Sequence, residues 1–181
     1  MTRRPVLPDH LRSELRILFV GINPGLRSAA LGHHYAGPSN RFWKLLYAAN
    51  LVPEPLTYRD DARLPEWGLG LTNVVARATS GMESLAPRDY TTGRLVLMRK
   101  IRRYRPRVVA LLGLTLYPIL FPLEGKGAGR RPGLQTVTLY ESNIVLLPNP
   151  SGRNASYPYH SMLDAFLTLT PWATTAPKHL P

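Results

Sequence analysis

The chain of 181 residues contains no cysteine, and this absence excludes several classes of site. Without thiols there is no disulfide bond, no cysteine-ligated zinc site and no iron–sulfur cluster. Apolar residues never run for the ~18 to 20 positions that a membrane-spanning helix needs. We therefore expect a protein with no cofactor, no metal and no membrane contact. The lack of cysteine also fits a reducing cytoplasm, with association to the nucleoid if the source is bacterial.

Acidic residues are scarce as well. The sequence has 11 Asp and Glu against 23 Lys and Arg, which gives a formal net charge of +12. Such an excess suits a polyanionic partner, since phosphates supply much of the affinity for basic proteins. The alternative is a charged surface that only keeps the protein soluble. Charge alone does not separate DNA from RNA.

Apolar runs of strand length alternate with amphipathic stretches of helix length. Strands are predicted at residues 17–20, 69–75, 107–112, 134–140 and 143–147, and the main helices at 40–50, 87–104 and 159–169. This alternation predicts an α/β fold, a three-layer α/β/α sandwich with a central, mostly parallel sheet. Residues 17–170 form the single predicted domain. Residues 1–16 are predicted to be a basic N-terminal extension and 171–181 a flexible C-terminal tail.

Four local features extend this prediction. The extension is expected to hold a short helix near residues 9–15. The helix at 87–104 should bury the stripe Leu95, Met98 and Ile101. A flexible basic loop is expected at 125–133, and a turn at Glu141 and Ser142 should join the last two strands.

Two polar loops follow predicted strands. Gly21-Ile22-Asn23-Pro24-Gly25 ends the first strand, and residues 148–154 end the last. Ligands of open α/β sheets bind beyond the carboxyl ends of the strands, so these loops could form one site. Neither loop holds a carboxylate, so its chemistry must use amides, backbone groups and water. A nucleotide-phosphate turn is the weaker alternative, because the first loop lacks the glycine patterns of such turns and Pro24 removes a donor.

Four motifs occur in order along most of the chain: GINPGL at 21–26, GHHYAGPSNRFWK at 32–44, GLTNVV at 70–75 and LPNPSG at 147–152. With them the chain resembles the mismatch-specific uracil/thymine DNA glycosylases of the uracil-DNA glycosylase superfamily. The resemblance implies a monofunctional enzyme that flips out uracil, or thymine or a damaged pyrimidine, mispaired with guanine and hydrolyses its N-glycosidic bond. The implied partner is double-stranded DNA with G·U or G·T mismatches, bound by a monomer without cofactor.

The resemblance also implies roles for the first loops. Asn23 corresponds to the catalytic asparagine that orients water, and Tyr35 to the aromatic residue that stacks on the flipped base. Backbone N–H groups of Ile22 and Tyr35 should bind the base carbonyls, Asn73 should contact the base edge, and Ser28 should lie near C5. Turn capping is the structural alternative for Asn23 and Asn73, and an ordinary core position is the alternative for Tyr35.

The second loop is implied to contact the base and the DNA. Asn149 is expected at the base, and Arg153 where relatives insert a wedge into the vacated stack. The remaining DNA-contacting residues of this loop are Ser151, Gly152 and Asn154. A plain phosphate contact is the alternative for Arg153.

Basic residues around the second motif complete the prediction. Arg41 and Lys44, one helical turn apart, could clamp phosphate or form a solvated face. His33 and His34 are expected to contact solvent or phosphate, since two neighbouring histidines without further ligands rarely bind metal. No lysine lies in the motif loops to form a Schiff base, so no strand cleavage is expected. The competing hypothesis is a non-catalytic DNA-binding module on the same fold.

Overall fold

Five strands form one twisted sheet in the order β2-β1-β3-β5-β4. The first four strands in this order are parallel, and β4 pairs antiparallel with β5. The computed structural model describes residues 7–123 and 131–173. The first six residues of the predicted extension, residues 125–130 of the predicted basic loop and residues 174–181 of the predicted tail lie outside the described residues. The strands are β1 Ile17–Gly21, β2 Leu69–Asn73, β3 Val108–Leu112, β4 Gly133–Leu139 and β5 Ser142–Leu147.

Within the described residues, six α-helices and two 3₁₀ segments accompany the strands. The 3₁₀ segments are Tyr58–Trp67 and Met82–Ser84. The helices are α1 Leu26–Leu31, α2 Phe42–Ala48, α3 Pro87–Tyr104, α4 Leu116–Leu120, α5 Tyr159–Leu167 and α6 Thr170–Ala173. The predicted α/β class and the mostly parallel sheet are confirmed.

Helices cover both faces of the sheet because successive strand residues point to opposite sides. Ile17 and Phe19 of β1 pack with α2 and α5 on one face. Leu18 and Val20 pack with α3 and α4 on the other. All four side chains are fully buried. This double coverage explains why β1 and β3 are continuous apolar runs, whereas β4 at the edge alternates between exposed and half-buried residues.

The short helix expected near residues 9–15 is wrong. His10 instead exchanges two backbone hydrogen bonds of 2.9 Å with Leu71 and so pairs with the outer edge of β2. Leu7 and Leu15 are buried beside it. The free backbone groups of an edge strand need partners, and this segment supplies them more effectively than a helix would.

Helix α3 has the predicted bounds. Of the predicted stripe, Ile101 is buried and Met98 packs partly buried against the same core, but Leu95 does not. The buried residues of α3 are Gly93, Leu97 and Ile101, which share one stripe at i, i+4 and i+8. Leu95, predicted to face inward, is 51% exposed because it lies two residues, about 200°, from the buried position Gly93.

One turn and the C-terminal segment also differ from the prediction. The β4–β5 turn is formed by Tyr140 and Glu141, whose φ angles are 48° and 71°, while Ser142 already belongs to β5. Residues 171–173 are not a loose tail, because α6 includes them and Ala173 is buried. Within residues 7–123 and 131–173, no helix is both long and apolar enough to cross a membrane.

Candidate active site

A cavity of about 690 Å³ opens at the carboxyl ends of the parallel strands. This volume is in the range of small-molecule sites. Ten of the twelve residues predicted for the site line it: Ile22, Asn23, Ser28, Tyr35, Asn73, Asn149, Ser151, Gly152, Arg153 and Asn154. The structure therefore brings both polar loops to one place.

The side chain of Asn23 is held in a single orientation. Its amide nitrogen donates to the Arg77 carbonyl at 3.0 Å and to Thr79 Oγ1 at 2.7 Å. A carbonyl oxygen can only accept, so this contact fixes which end of the amide is nitrogen. Both N–H groups are then used, and Oδ1 remains as the group that can accept a hydrogen bond from a ligand or water.

Thr79 is a residue that the sequence motifs did not reveal. It is buried, its Oγ1 accepts from Asn23, and the same hydroxyl donates to the Gly81 carbonyl at 2.7 Å. Its backbone N–H donates to the carbonyl of Pro24. The loop after β1 and the loop after β2 thus run side by side and hold the Asn23 amide between them. No motif marks residue 79, so only the fold shows this contact.

Tyr35 and Asn73 converge on the bare backbone of Gly21. A Cβ atom at Gly21 would lie 2.5 Å from Asn73 Oδ1 and 3.1 Å from the Tyr35 hydroxyl. Glycine here lets the two side chains approach the backbone this closely, and a larger residue would displace the end of the Asn73 side chain. The Tyr35 ring packs on Phe42 with centroids 4.2 Å apart, which fixes the plane of the phenol.

Several hydrogen-bonding groups at this point are unused. The Tyr35 hydroxyl is buried without a hydrogen-bond partner among the described residues, and burial raises its pKa. The backbone N–H groups of Ile22 and Tyr35 and the side-chain amide of Asn73 also make no hydrogen bond to any described residue. Buried polar groups are rarely left unpaired in native proteins, so this cluster is suited to a polar ligand.

Ser28 links the cavity wall to the loop that carries Tyr35. It is buried on α1, and its hydroxyl accepts from the backbone N–H of Ala36 at 3.1 Å. The hydroxyl proton remains available toward the cavity. Ser28 therefore narrows the pocket and also holds the neighbouring residue of Tyr35 in place.

The loop after β5 closes the opposite wall. Asn149 Oδ1 accepts from the Ser151 N–H at 3.0 Å, and the Asn149 carbonyl accepts from the Asn154 side chain at 2.9 Å. A Cβ at Gly152 would lie 2.7 Å from the backbone oxygen of Ser39. Glycine here lets the two loops touch, which brings the wall against the second motif.

Arg153 spans the mouth of the cavity. Its backbone N–H donates to Ser151 Oγ, and its guanidinium donates to the Ser80 carbonyl at 3.0 Å. The side chain is exposed and crosses from the last loop to the loop after β2. Insertion into DNA would require this contact to break.

Arg41 and Lys44 do not line the cavity. The Arg41 guanidinium points toward α5, where it donates to the Tyr157 carbonyl at 3.1 Å and contacts the Met162 sulfur at 3.4 Å. Lys44 is exposed on α2. Their contact with phosphate stays a prediction.

A buried carboxylate supports the Tyr35 loop from behind. Asp61 Oδ1 lies 3.0 Å from His33 Nδ1, and its Oδ2 accepts from the His34 N–H at 2.8 Å and lies 3.2 Å from His10 Nε2. Burial alone would raise the pKa of Asp61, but these contacts outweigh it and lower the pKa to about 2. The sequence analysis missed this network, since Asp61 belongs to no recognised motif.

The expected exposure of His34 is wrong. His34 is buried, and its Nε2 donates to the Pro8 carbonyl at 2.8 Å. Burial is the main cause that lowers its pKa. His33 is partly exposed and faces Asp61. Within the described part of the chain, no three His, Cys, Asp or Glu side chains are arranged to hold a metal ion.

Two comparisons with known proteins agree with this architecture. The model of the family described as the uracil DNA glycosylase superfamily matches residues 8–169. A solved structure of a candidate uracil DNA glycosylase from Methanosarcina acetivorans superposes with a TM-score of 0.62 at 18% identity. The alignment covers 94% of this chain and 99% of that one. At this identity the superposition establishes a shared fold.

Proposed function

Because the chain belongs to the uracil DNA glycosylase superfamily, we propose that it is a monofunctional, mismatch-specific DNA glycosylase. It hydrolyses the N-glycosidic bond of uracil mispaired with guanine and accepts thymine or damaged pyrimidines in the same setting. The observation that carries the proposal is the fixed amide of Asn23, a residue that lines a cavity with a cluster of unused donors and whose Oδ1 accepts no hydrogen bond from the described residues.

The Asn23 amide acts on water. Its N–H groups are occupied by Arg77 and Thr79, so Oδ1 can hold a water molecule for attack on the deoxyribose. An amide is a poor proton acceptor, so the gain comes from orientation of the water rather than from strong base catalysis. Slow turnover is the expected consequence.

The unused groups recognise the base. A base in a duplex is out of reach, so the uracil must swing out at a cost of a few kcal/mol, least in a mismatch. N–H groups of Ile22 and Tyr35 then bind its carbonyls, and Asn73 pairs with its edge. These donors stabilise the negative charge that develops on the leaving base. The Tyr35 ring stacks on it, which contributes about 1 to 3 kcal/mol.

The mouth of the cavity selects the mismatch. Arg153 leaves Ser80, fills the vacated stack and donates to the widowed guanine, as its guanidinium geometry allows. Ser28 presents a hydroxyl near C5 of the pyrimidine, where thymine carries a methyl group, so uracil is the preferred base. No lysine lines the cavity among the described residues. The reaction therefore ends at an abasic site without strand cleavage.

The test is release of uracil from a duplex with one G·U pair, detected by alkaline cleavage of the abasic site. Asn23→Ala should lower the single-turnover rate by about 10²- to 10³-fold or more, the scale of losing one oriented catalytic group. Asn143→Ala, at the far end of β5, is the matched control and should keep the wild-type rate.

Three outcomes separate the alternatives. A wild-type rate in Asn23→Ala contradicts the role of this residue. Binding of the duplex without release of any base supports the non-catalytic DNA-binding module instead. Equal rates on G·U, A·U and single-stranded uracil contradict the mismatch specificity but leave the glycosylase proposal intact.

A further inference from the structure

A second concentration of positive charge lies at the end of the sheet opposite the cavity. Helix α3 begins after the Met82–Ser84 segment, which lines the cavity, and ends at Tyr104. The Tyr104 carbonyl accepts from the Glu14 N–H, just before β1 begins. An 18-residue helix is ~27 Å long, so the last turn of α3 is remote from the cavity.

Five exposed arginines cluster at this end, and we call them the distal arginine face: Arg99, Arg102, Arg103, Arg105 and Arg107. Positions 99, 102 and 103 share one side of α3, one turn apart. The side chains of Arg99 and Arg102 make no hydrogen bond or ion pair with any described residue. Of the described acids, Glu14 alone comes within 4.0 Å of the face, at 4.0 Å from Arg105, and both side chains are largely exposed.

The cations in this region crowd one another. Burial lowers the pKa of Arg16, and the positive charges of Arg107 and Arg12 lower it further. Crowded like charges disfavour the compact state unless a counter-charge relieves them. Binding of a densely charged anion at the distal arginine face would therefore relieve this repulsion and be electrostatically favourable.

Cations beside the cavity are different because the protein already engages them. Arg27 donates to the Ala36 carbonyl, Arg77 pairs with Asp89 at 2.6 Å, and Arg153 donates to Ser80. Among the described residues, these three cations beside the cavity are thus held by the protein itself, whereas the side chains of Arg99 and Arg102 at the distal arginine face remain available to an external anion.

We propose that the distal arginine face binds the phosphate backbone of a second duplex DNA segment while the cavity holds the first. Arginine side chains one turn apart suit rows of phosphate oxygens. DNA is stiff over ~150 bp, so a duplex of about 15 bp cannot bend around the domain to reach both ends. In this proposal the face contacts separate DNA, either another molecule or a distant part of a long one. This inference goes beyond the proposed function and uses it only for the occupant of the cavity.

The test is a two-duplex capture assay. Asn23→Ala protein is added to an immobilised duplex of about 15 bp with one G·U pair, short enough to stay straight. A dye-labelled duplex without uracil follows, and the captured dye is measured against salt concentration. Capture should occur and fall with salt. In Arg99→Gln/Arg102→Gln its logarithmic salt slope should drop by about 2, one phosphate contact each.

Arg59→Gln/Arg63→Gln is the matched control, because it removes the same charge from the Tyr58–Trp67 segment. It should retain capture. When Asn23 is left unchanged, the Arg99→Gln/Arg102→Gln variant should release uracil from the short duplex at the wild-type rate. Light scattering should find one protein chain per complex.

Several results would overturn the inference. No capture, equal losses in both double variants, or two chains per complex would remove the need for a second surface. Tighter binding of duplex RNA or of anionic lipid vesicles than of DNA would assign the face to another partner. A protein that captures the second duplex but releases no uracil would instead contradict the proposed function and leave the face in place.

Discussion

The two ends of the sheet use polar side chains in opposite ways. At the cavity end, both N–H groups of the Asn23 amide are bonded, and Thr79 and Arg77 hold the side chain still. At the distal end, arginines such as Arg99 and Arg102 have no partner among the described residues. The first arrangement fixes geometry, and the second leaves charge available to an external anion.

This difference separates the proposed catalytic role of the cavity end from the proposed DNA-binding role of the distal end. Hydrogen bonds among neutral, half-buried groups respond weakly to salt, whereas exposed charges are screened within ~8 to 10 Å at ordinary ionic strength. We expect salt to weaken DNA binding and to leave the rate of the bound complex nearly constant. Changes at the cavity end should alter the rate, and changes at the distal end should alter binding.

The largest effect is expected from Thr79→Val, which keeps the shape of the side chain and removes the acceptor for Asn23. The amide then keeps one of its two anchors, and water is held less accurately. The single-turnover rate of uracil release should fall by about 10²-fold, as for other small misplacements. Binding of the G·U duplex should persist.

Thr91→Val on α3 is the control for this change, because the Thr91 hydroxyl makes only an exposed bond to the Pro87 carbonyl. It should release uracil normally. Comparable rates in the two variants would show that the Thr79 hydroxyl does not position Asn23.

A smaller effect is expected from Gly21→Ala. The new methyl would meet the Asn73 amide at 2.5 Å, and the free end of that side chain must move. Base recognition should suffer more than water orientation, so kcat/KM should drop by roughly 10-fold, the scale of a lost side-chain hydrogen bond. Gly25→Ala, where a Cβ meets nothing within 4 Å, serves as the control. Equal kinetics in both variants would contradict the close approach at Gly21.

The smallest effect on chemistry and the largest on stability should come from Asp61→Asn. Loss of the charge weakens the contacts with His10 and His33, so the free energy of unfolding should decrease by about 2 kcal/mol. Urea unfolding measures it. Asp164→Asn, exposed on α5, should change stability little. The prediction fails if the two variants unfold at the same urea concentration.

The pH dependence of unfolding in acid should also report on the Asp61 carboxylate. Its pKa of about 2 in the folded protein lies below the ordinary 3.8, so ionised Asp61 stabilises the fold above pH ~4. That contribution, about 2 kcal/mol, is lost as the pH falls from about 4 toward 2. The Asp61→Asn variant should lack this part of the acid dependence. An identical pH profile of unfolding in both proteins would refute the assignment.

Regular patterns in the sequence were sufficient to predict the α/β architecture. The bounds of α3 and the buried strand β3 followed from apolar periodicity and from Pro106, which ends the helix. The loops with Asn23 and Asn149 were expected at one edge because parallel strands end together, and the cavity contains both. Periodicity did not decide which stripe of α3 is buried, since Leu95 and Leu97 are equally apolar.

Contacts between segments that are distant in sequence could not be predicted from the sequence patterns. Thr79 bonds Asn23 across 56 positions, and Asp61 holds His34 across 27. Neither residue type is rare or marked by spacing, so no local signal exists for these contacts. His34 was expected at solvent or phosphate because a neighbouring pair of histidines without further ligands rarely binds metal, yet the Pro8 carbonyl satisfies its ring nitrogen in the interior.

The pairing of His10 with Leu71 has a consequence for solubility. Strand β2 is the last strand on its side of the sheet, and the segment around His10 occupies its outward amide and carbonyl. A chain shortened past this segment would present a bare ribbon of hydrogen-bonding groups to its neighbours. Such ribbons invite strand-to-strand association between molecules, so this stretch also protects the protein from aggregation.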